Sequence, residues 1–434
     1  MSEWTVSSNE AVTLSLVRSE EDKKALSDNM QFENFHPPFT YPIYGEDETI
    51  YGYKDLVIDV KFASGSLAQY VSVNYLEKLP ASTVDDPETT LKEFIPEGYF
   101  KDEAAFQKQV EKDATSFRPT GELIHSYSRP STTVKGKGEG GASNTNDSVE
   151  FEVYHATWDT PGFREYHRRM QLFILLYIEG GSYINDDEDG WEFMILYEKR
   201  KRQGATGTPT YHFVGYSSLY PFYHYPEKIR LRLSQFVILS PYQRGGHGSE
   251  LYKSIYNYVL SQPHIAELTV EDPAEAFEDL RDKNDLLFLL SGEKRGEVDA
   301  QKFMEEGFCE PTSHGGGRVG GVGKAGRSGR GGTNAGQKRK MGPPVDKVWA
   351  EKWRKDLKIA TRQFQRLVEM LILHKMDLGD ALAMRAYRLQ VKERLYRFNF
   401  EILAQLEKEE RHEKLEETFQ GVVEDYRRIL AMVN

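Results

Sequence analysis

Residues 10–155 read as mixed α/β. Leu56, Ile58, Val60 and Phe62 alternate on one face of a strand, Ser64-Gly65-Ser66 turns the chain, and Val71, Val73 and Tyr75 alternate on a second strand, which predicts a hairpin. Over 156–308 the period changes. Phe163, Tyr166, Met170, Phe173 and Leu176 recur at steps of three or four, a helix that Glu179-Gly180-Gly181 should stop. Three strand-like stretches follow, Trp191–Glu198, Tyr211–Tyr220 and Ile229–Leu239. Then come a glycine-rich turn over Pro241–Gly248, a helix over Ser249–Leu260, a strand over Ile265–Val270 and a helix over Pro273–Leu290. Residues 309–344 interrupt all periodicity, and 345–434 are helical throughout. There Leu415, Phe419, Val422, Tyr426 and Ile429 step by four and three, a stripe of barely two heptads that predicts a small helical bundle rather than a dimeric coiled coil.

Composition narrows the class. The chain has 434 residues, 39% hydrophobic, which at about 100–200 residues per domain allows two to four packed domains. One cysteine, Cys309, excludes an intramolecular disulfide and a Cys-rich zinc site, and no metal is expected. The longest apolar run, around Leu172–Ile178, falls short of the roughly 18 residues of a membrane span, and Met1-Ser2-Glu3-Trp4 does not open a secretory signal. These features predict a reducing compartment, cytoplasm or nucleus, and no membrane. With 56 Lys and Arg against 68 Asp and Glu the net charge is −12, yet Thr312–Lys340 carries +7 and leaves −19 for the remainder. A body that acidic repels a nucleic-acid backbone and attracts a cationic partner. The basic stretch is also glycine-rich and cannot bury enough apolar surface to offset chain entropy, so it predicts a flexible linker; Pro130–Ser148 predicts a loop for the same reason.

The chemistry concentrates at Ser234–Ser249, an apolar strand running into a glycine-rich turn that opens a helix. Successive backbone N–H groups in such a turn, with the positive helix end, suit a pyrophosphate, and glycine lets phosphate approach the backbone. A tight structural turn would use the same letters. A dinucleotide site would require G-x-G-x-x-G and further βαβ units, and neither is present. Asp272-Pro273-Ala274-Glu275 reads as a capping box, with Asp272 the N-cap, Pro273 at the first position and Glu275 at the third. Taken alone, Glu271 is a solvated acid at a strand end and Glu179 one at a helix end. His247, in a loop committed to phosphate, reads as a phosphate neighbour or a packing residue.

Gln243-Arg244-Gly245-Gly246-His247-Gly248 matches the Q/R-x-x-G-x-G/A signature of the GNAT N-acetyltransferases. Val270-Glu271-Asp272-Pro273, Leu280-Arg281-Asp282, Phe35-His36-Pro37, Gly45-Glu46-Asp47-Glu48-Thr49, Thr160–His167, His412–Glu417 and Val423–Arg428 narrow this further. In that order the chain resembles type B histone acetyltransferase catalytic subunits over most of its length outside two Gly-rich insertions. The resemblance implies an α/β (α+β) chain: an N-terminal α/β histone-binding domain at 10–155, a GNAT acetyl-CoA-binding catalytic domain with a mostly antiparallel sheet at 156–308, a linker at 309–344 and a helical domain at 345–434.

It also implies acetyl transfer from acetyl-CoA to lysines of free, newly made histone H4 by direct attack in a ternary complex. A lysine amine with a pKa of about 10.4 is protonated at neutral pH and needs a base. The resemblance ranks Glu271 first for that role, then Glu179, then Asp272. Phe236, Val237 and Ile238 would offer their backbone to the pantetheine arm, and Gln243, Arg244, Gly245, Gly246, His247, Gly248 and Ser249 would cradle the pyrophosphate, with Arg244 standing where the family has a glycine. Glu46, Asp47 and Glu48 with Tyr220, Pro221 and Phe222 would meet the histone H4 tail, while Trp191 and Tyr225 line the lysine stem. A second acidic run, Asp186–Asp189, suits steering of the same tail. A WD40-repeat histone chaperone is the implied partner, with no direct nucleic acid. An acetyltransferase for another amine and a silent acetyl-CoA- or histone-binding scaffold are the alternatives. Gly323–Gly331 resembles the tail's own composition, which makes Lys324 a candidate for self-acetylation against the plainer reading of a spacer; Lys338-Arg339-Lys340 is a short candidate import signal.

Overall fold

The structure is a computed structural model that describes residues 3–24, 26, 32–130, 148–201, 207–308 and 339–433. Cys309, Lys324, Lys338, almost all of the expected 130–148 loop and most of the expected linker lie outside these residues. The chain divides into two compact units, residues 1–258 with 269–272, and residues 259–268 with 273–434.

In the first unit, strand β1 (Val12–Val17) pairs in parallel with β2 (Val57–Ala63), which pairs antiparallel with β3 (Gln69–Asn74). β2 and β3 form the expected hairpin around Ser64-Gly65-Ser66. Helix α1 (Glu103–Ser116) closes one small core, where Phe106 stacks on Tyr70 at 5.6 Å. Among the described residues the main sheet has six strands: β4 (Glu122–Pro130), β5 (Ser148–Thr157), β6 (Glu192–Lys201), β7 (Pro209–His224), β8 (Lys228–Ile238) and β9 (Ile265–Val270), in the order β9-β8-β7-β6-β5-β4. The pairings from β4 to β8 are antiparallel.

The boundary expected between 155 and 156 falls inside β5, so β4 and most of β5, assigned by sequence to the N-terminal domain, belong to this sheet. The physical reason lies in β6. Phe193, Met194, Ile195, Leu196 and Tyr197 are fully buried on both faces, so β6 is a central strand and needs a hydrogen-bonded partner on each side. Helices α2 (Phe163–Met170) and α3 (Leu172–Tyr177) replace the single expected helix. Gln171 between them keeps helical dihedrals, and its Oε1 accepts the Ile184 N–H at 3.1 Å. Phe163 packs on Phe193 at 4.9 Å, fixing α2 against the sheet. Each such fully buried side chain contributes about 1.5–3 kcal/mol.

Helix α4 (His247–Ser261) follows β8 and, with β9, contributes residues to both units. The second unit contains α5 (Glu275–Ser291), α6 (Ala300–Phe308), α7 (Lys347–Asp356), α8 (Thr361–Lys375), α9 (Ala381–Phe398) and α10 (Lys408–Ala431). Trp349 and Trp353 of α7 flank Phe303 at 5.2 and 5.4 Å, and both indole N–H groups donate to Glu306. The α10 stripe faces its own unit as a bundle, with Phe419, Tyr426 and Ile429 buried, and Val423 rather than Val422 fully buried between them. Among the described residues no helix is long and apolar enough to cross a membrane.

Candidate active site

β8 leads through a 3-10 turn at Ser240–Tyr242 into the glycine segment, and α4 begins at His247. Gln243, Arg244, Gly245 and Gly246 are exposed. Arg244 (φ +62°) and Gly246 (φ +79°) are left-handed, a conformation costing a non-glycine residue about 1–2 kcal/mol, which is why a glycine suits the Arg244 position. A Cβ on Gly246 would lie 3.3 Å from Arg129 Nη2, and one on Gly245 would lie 2.9 Å from the His247 ring. The turn is thus a cradle that side chains would fill, opening a helix, and it fits a pyrophosphate. Gln243 turns its amide back to the Ile238 carbonyl at 2.8 Å.

Behind the turn lies a buried network that the sequence did not reveal. Arg18, the residue after β1, donates to Glu198 at 2.6 Å and to the Tyr242 hydroxyl at 2.8 Å, and that hydroxyl donates to Glu198 at 2.6 Å. Burial alone would raise the Glu198 carboxyl, but Arg18, with His212 and Arg200, outweighs it and holds the group well below the ordinary range. Tyr242 ends the turn that starts the cradle, so this network fixes the cradle's entry. His247 is a packing residue: its ring sits 4.4 Å from Phe151, and Nδ1 is hydrogen-bonded to the Tyr127 hydroxyl at 2.7 Å. Glu250, one turn into α4, gathers His125, Lys253 and Arg129; burial raises its pKa, but these partners bring it down to about 2. Arg129, also missed by sequence reasoning, thereby places a guanidinium beside Gly246.

Glu271 and the segment bearing Glu179 are both tied to β8. Glu271, the residue after β9, gives its N–H to the Leu233 carbonyl at 3.0 Å, so β9 has ended by the middle of β8. Phe236, Val237 and Ile238 therefore pair with β7 on one side, at Ser217, Tyr216 and Gly215, while β9 stops short of them on the other. The Glu271 side chain is 41% exposed and meets Arg232 at 3.2 Å. Glu179 is exposed, within a segment held against the same end of β8: the Tyr177 and Ser240 hydroxyls are hydrogen-bonded at 2.9 Å, and the Gln235 amide donates to the Ser182 carbonyl at 2.8 Å. Asp272 is exposed with φ +32°, and it is not the expected N-cap. Helix α5 starts at Glu275 with Ala274 as its N-cap, because the left-handed turn at Asp272 adds two residues before the helix and disconnects the capping box.

The expected substrate residues divide. Trp191 packs on Tyr220 at 4.8 Å, Tyr220 on Phe222 at 5.0 Å, and the Arg232 guanidinium lies 4.2 Å over Phe222, so an aromatic run leads to Glu271. Pro221 stands opposite Gly190. Tyr225 is 82% exposed, in the turn between β7 and β8, and does not join that run. Glu46 and Asp47 are exposed, whereas Glu48 is taken up internally, accepting from Asn9 at 2.6 Å and from the Thr40 and Tyr41 N–H groups at 2.8 and 3.1 Å. Glu48 thus ties down the one-turn helix Tyr41–Tyr44, whose Tyr41 hydroxyl receives the Gly180 N–H at 2.6 Å, next to Glu179. In the second acidic run Asp186 pairs with Arg168 at 2.7 Å, and Glu188 holds the Trp191 indole N–H at 3.2 Å.

Comparison with known proteins identifies the family. The family described as "Histone acetyl transferase HAT1 N-terminus" matches residues 4–179, and "Fungal HAT1, C-terminal" matches 333–377. A histone acetyltransferase type B catalytic subunit from Cryptococcus neoformans is 48% identical over 445 residues, covering all of this chain and 98% of that one. One from Mycosarcoma maydis is 44% identical, covering 90% and 82%, and one from Mus musculus 32%, covering 99% and 94%. Among solved structures, an aminoglycoside acetyltransferase from a soil metagenome is 13% identical over 34% of this chain and 91% of that one, with a TM-score of 0.22, too slight a likeness to bear on the site. Full-length identity at this level makes the chain an acetyltransferase using acetyl-CoA, and it belongs to the family of type B histone acetyltransferase catalytic subunits.

Proposed function

We propose that the chain acetylates lysine side chains of free histone H4 by direct attack in a ternary complex, with Glu271 as general base. The observation that carries this reading is the placement along β8 of a solvent-reaching carboxylate at Leu233, an aromatic run beside Arg232 and the glycine cradle beyond Ile238. The cradle from Gln243 to Ser249 holds the pyrophosphate, and the Phe236–Ile238 backbone holds the pantetheine arm, so that the thioester lies near Glu271. Trp191, Tyr220, Pro221 and Phe222 flank the lysine's methylene stem, and Glu46 and Asp47 draw in the basic tail.

Arg232 occupies Glu271 in the free protein. An arriving lysine ammonium competes for the same carboxylate, which brings the amine to its base. Glu271 takes one proton from the ammonium and frees the lone pair that forms the new bond to the acetyl carbon. The carbon–sulfur bond then breaks, and the second proton shed by the nitrogen goes to the departing thiolate, which leaves as the thiol. Glu179 is the second candidate and Asp272 the third. The same reading gives the enzyme a WD40-repeat histone chaperone as partner and a distribution between cytoplasm and nucleus.

The test is acetyl transfer from acetyl-CoA to free histone H4, with Glu271→Gln and nucleosomes alongside. Gln keeps the shape and removes the base, and a lost general base lowers kcat by about 10²–10⁴-fold. Transfer to free H4 that is lost in the variant and weak on nucleosomes supports the reading. Unchanged turnover in Glu271→Gln moves the role to Glu179, and cofactor binding without transfer to H4 overturns the substrate assignment.

A further inference from the structure

The second unit contains a groove of about 460 Å³ whose lining includes none of the candidate site residues. Its walls come from α7, α8 and α9, with Pro344 and Val345 at one end, and the Val345 N–H is fastened to Gln390 of α9 at 3.0 Å. Phe364 and Val368 are buried at its floor, and Phe398, 57% exposed, stands at its rim. The volume is in the range of side-chain and small-ligand sites.

The charges lining the groove are unequally matched. Glu369 is satisfied by Arg394 at 2.8 Å and by the Tyr426 hydroxyl at 2.8 Å, and Glu393 is engaged by Arg397. Lys347 and Arg362 also line it, and neither has a hydrogen-bond or ion-pair partner among the described residues. Arg362 lies 3.8 Å over the Phe398 ring, with Arg366, Arg394 and Arg281 close enough to act on it as like charges. Its one favourable carboxylate, Glu278, is shared with Arg281 at 3.7 Å.

Arg362 and Thr361 also form the N-terminus of the 15-residue helix α8, whose N-cap is Ala360 with no side-chain cap. The groove therefore presents an apolar floor, an uncapped positive helix end and two unmatched cations in one place. The chain's own linker is a poor occupant, since Thr312–Lys340 carries +7. A basic histone tail is excluded by the same repulsion.

We infer that this groove binds an acidic peptide segment of a partner protein, with an apolar side chain seated between Phe364 and Phe398 and carboxylates on Arg362, Lys347 and the α8 N-terminus. Recognition is by charge and an apolar anchor together. The inference is independent of how the first unit carries out its chemistry.

The probe is a fluorescent peptide of about twelve residues, mostly Glu, with a central Phe-Leu pair, titrated by anisotropy into the full-length protein. Saturable, salt-sensitive binding is expected. Combined Lys347→Glu and Arg362→Glu weakens it at least tenfold, Phe398→Ser at least threefold, and neither alters acetyl transfer to free histone, which also reports that the variants are folded. No binding to the wild-type chain overturns the inference, as does binding that survives the double reversal. A peptide with Ser replacing Phe and Leu that binds equally well also overturns it, since that marks a bare anion site.

Discussion

The cradle beyond β8 and the candidate carboxylates beside the strand are built on opposite terms. At the cradle, the carboxylates behind the turn are buried and matched: Glu198 with Arg18 and Tyr242, Glu250 with His125, Lys253 and Arg129. By contrast Glu271, Glu179, Glu46 and Asp47 reach solvent, and among the described residues the Glu271 side chain is partnered by Arg232, itself one-third exposed. A pyrophosphate-bearing donor is the same in every cycle, so its site gains from donors fixed in advance. On the proposed reading a protein tail enters, is deprotonated and leaves, and a base locked in a buried pair could not exchange its partner. On that reading the difference teaches that rigidity is assigned to the donor and exchange to the acceptor.

The most severe way to break the comparison is to remove one member of the buried pair. Glu198→Ala leaves Arg18 charged and unpaired at 1% side-chain exposure and should cost about 3–5 kcal/mol, seen as a large fall in the urea midpoint. Glu271→Gln, among the exposed carboxylates, should leave the midpoint within about 0.5 kcal/mol of wild type. Equal destabilisation by the two would erase the distinction.

A smaller effect is expected at the cradle itself. Gly246→Val forces a β-branched residue to φ +79° and sets its Cβ 3.3 Å from Arg129. It should cost about 1–2 kcal/mol of strain and weaken acetyl-CoA binding about tenfold, with the KM for histone unmoved. A histone KM that rises in step would mean the cradle also shapes the acceptor site.

How much of this was legible depended on distance along the chain. The turn, its glycines, the end of one strand and the start of one helix lie within the sixteen residues Ser234–Ser249, so local pattern carried them. Asp272 was misread from equally local letters, because a capping box and a left-handed turn differ in one dihedral that no spacing reveals. Glu48 was grouped with Glu46 and Asp47 by adjacency, yet its own backbone at φ +47° turns it inward to cap Tyr41. The Arg18–Glu198 pair joins residues 180 apart. Its one trace in the sequence is a Glu placed directly after the apolar run Phe193–Tyr197, a charge that a central strand tolerates only with a buried partner. The domain boundary was missed because β4 and β5 join β6 across 34 residues containing two helices, which sequence alone reads as a separation.

The smallest effect tests the cradle's burial through pH. Burial foremost, then Arg129, lowers the His247 pKa to about 4, despite Glu198 and Glu250. In the unfolded chain the ring titrates near 6.5, so between about 6.5 and 4 the unfolded state holds a proton that the folded state does not. Stability from this group is thus complete above pH of about 6.5 and is lost as pH falls through 4. Glu250, brought down to about 2, acts in a separate window: its contribution is complete above the ordinary carboxylate value of about 4.3 and is lost toward pH 2. His167, lowered to about 3 by burial, shares the histidine window. Replacing His247 with Gln should therefore flatten the stability profile between pH 6.5 and 4 by up to about 1 kcal/mol per pH unit and leave the decline below pH 4 in place. Urea midpoints at pH 7.5, 6, 5 and 3.5 read both windows. A profile unchanged between 6.5 and 4 would mean that the ring reaches water, and that the cradle is no more closed than the carboxylates beside the strand.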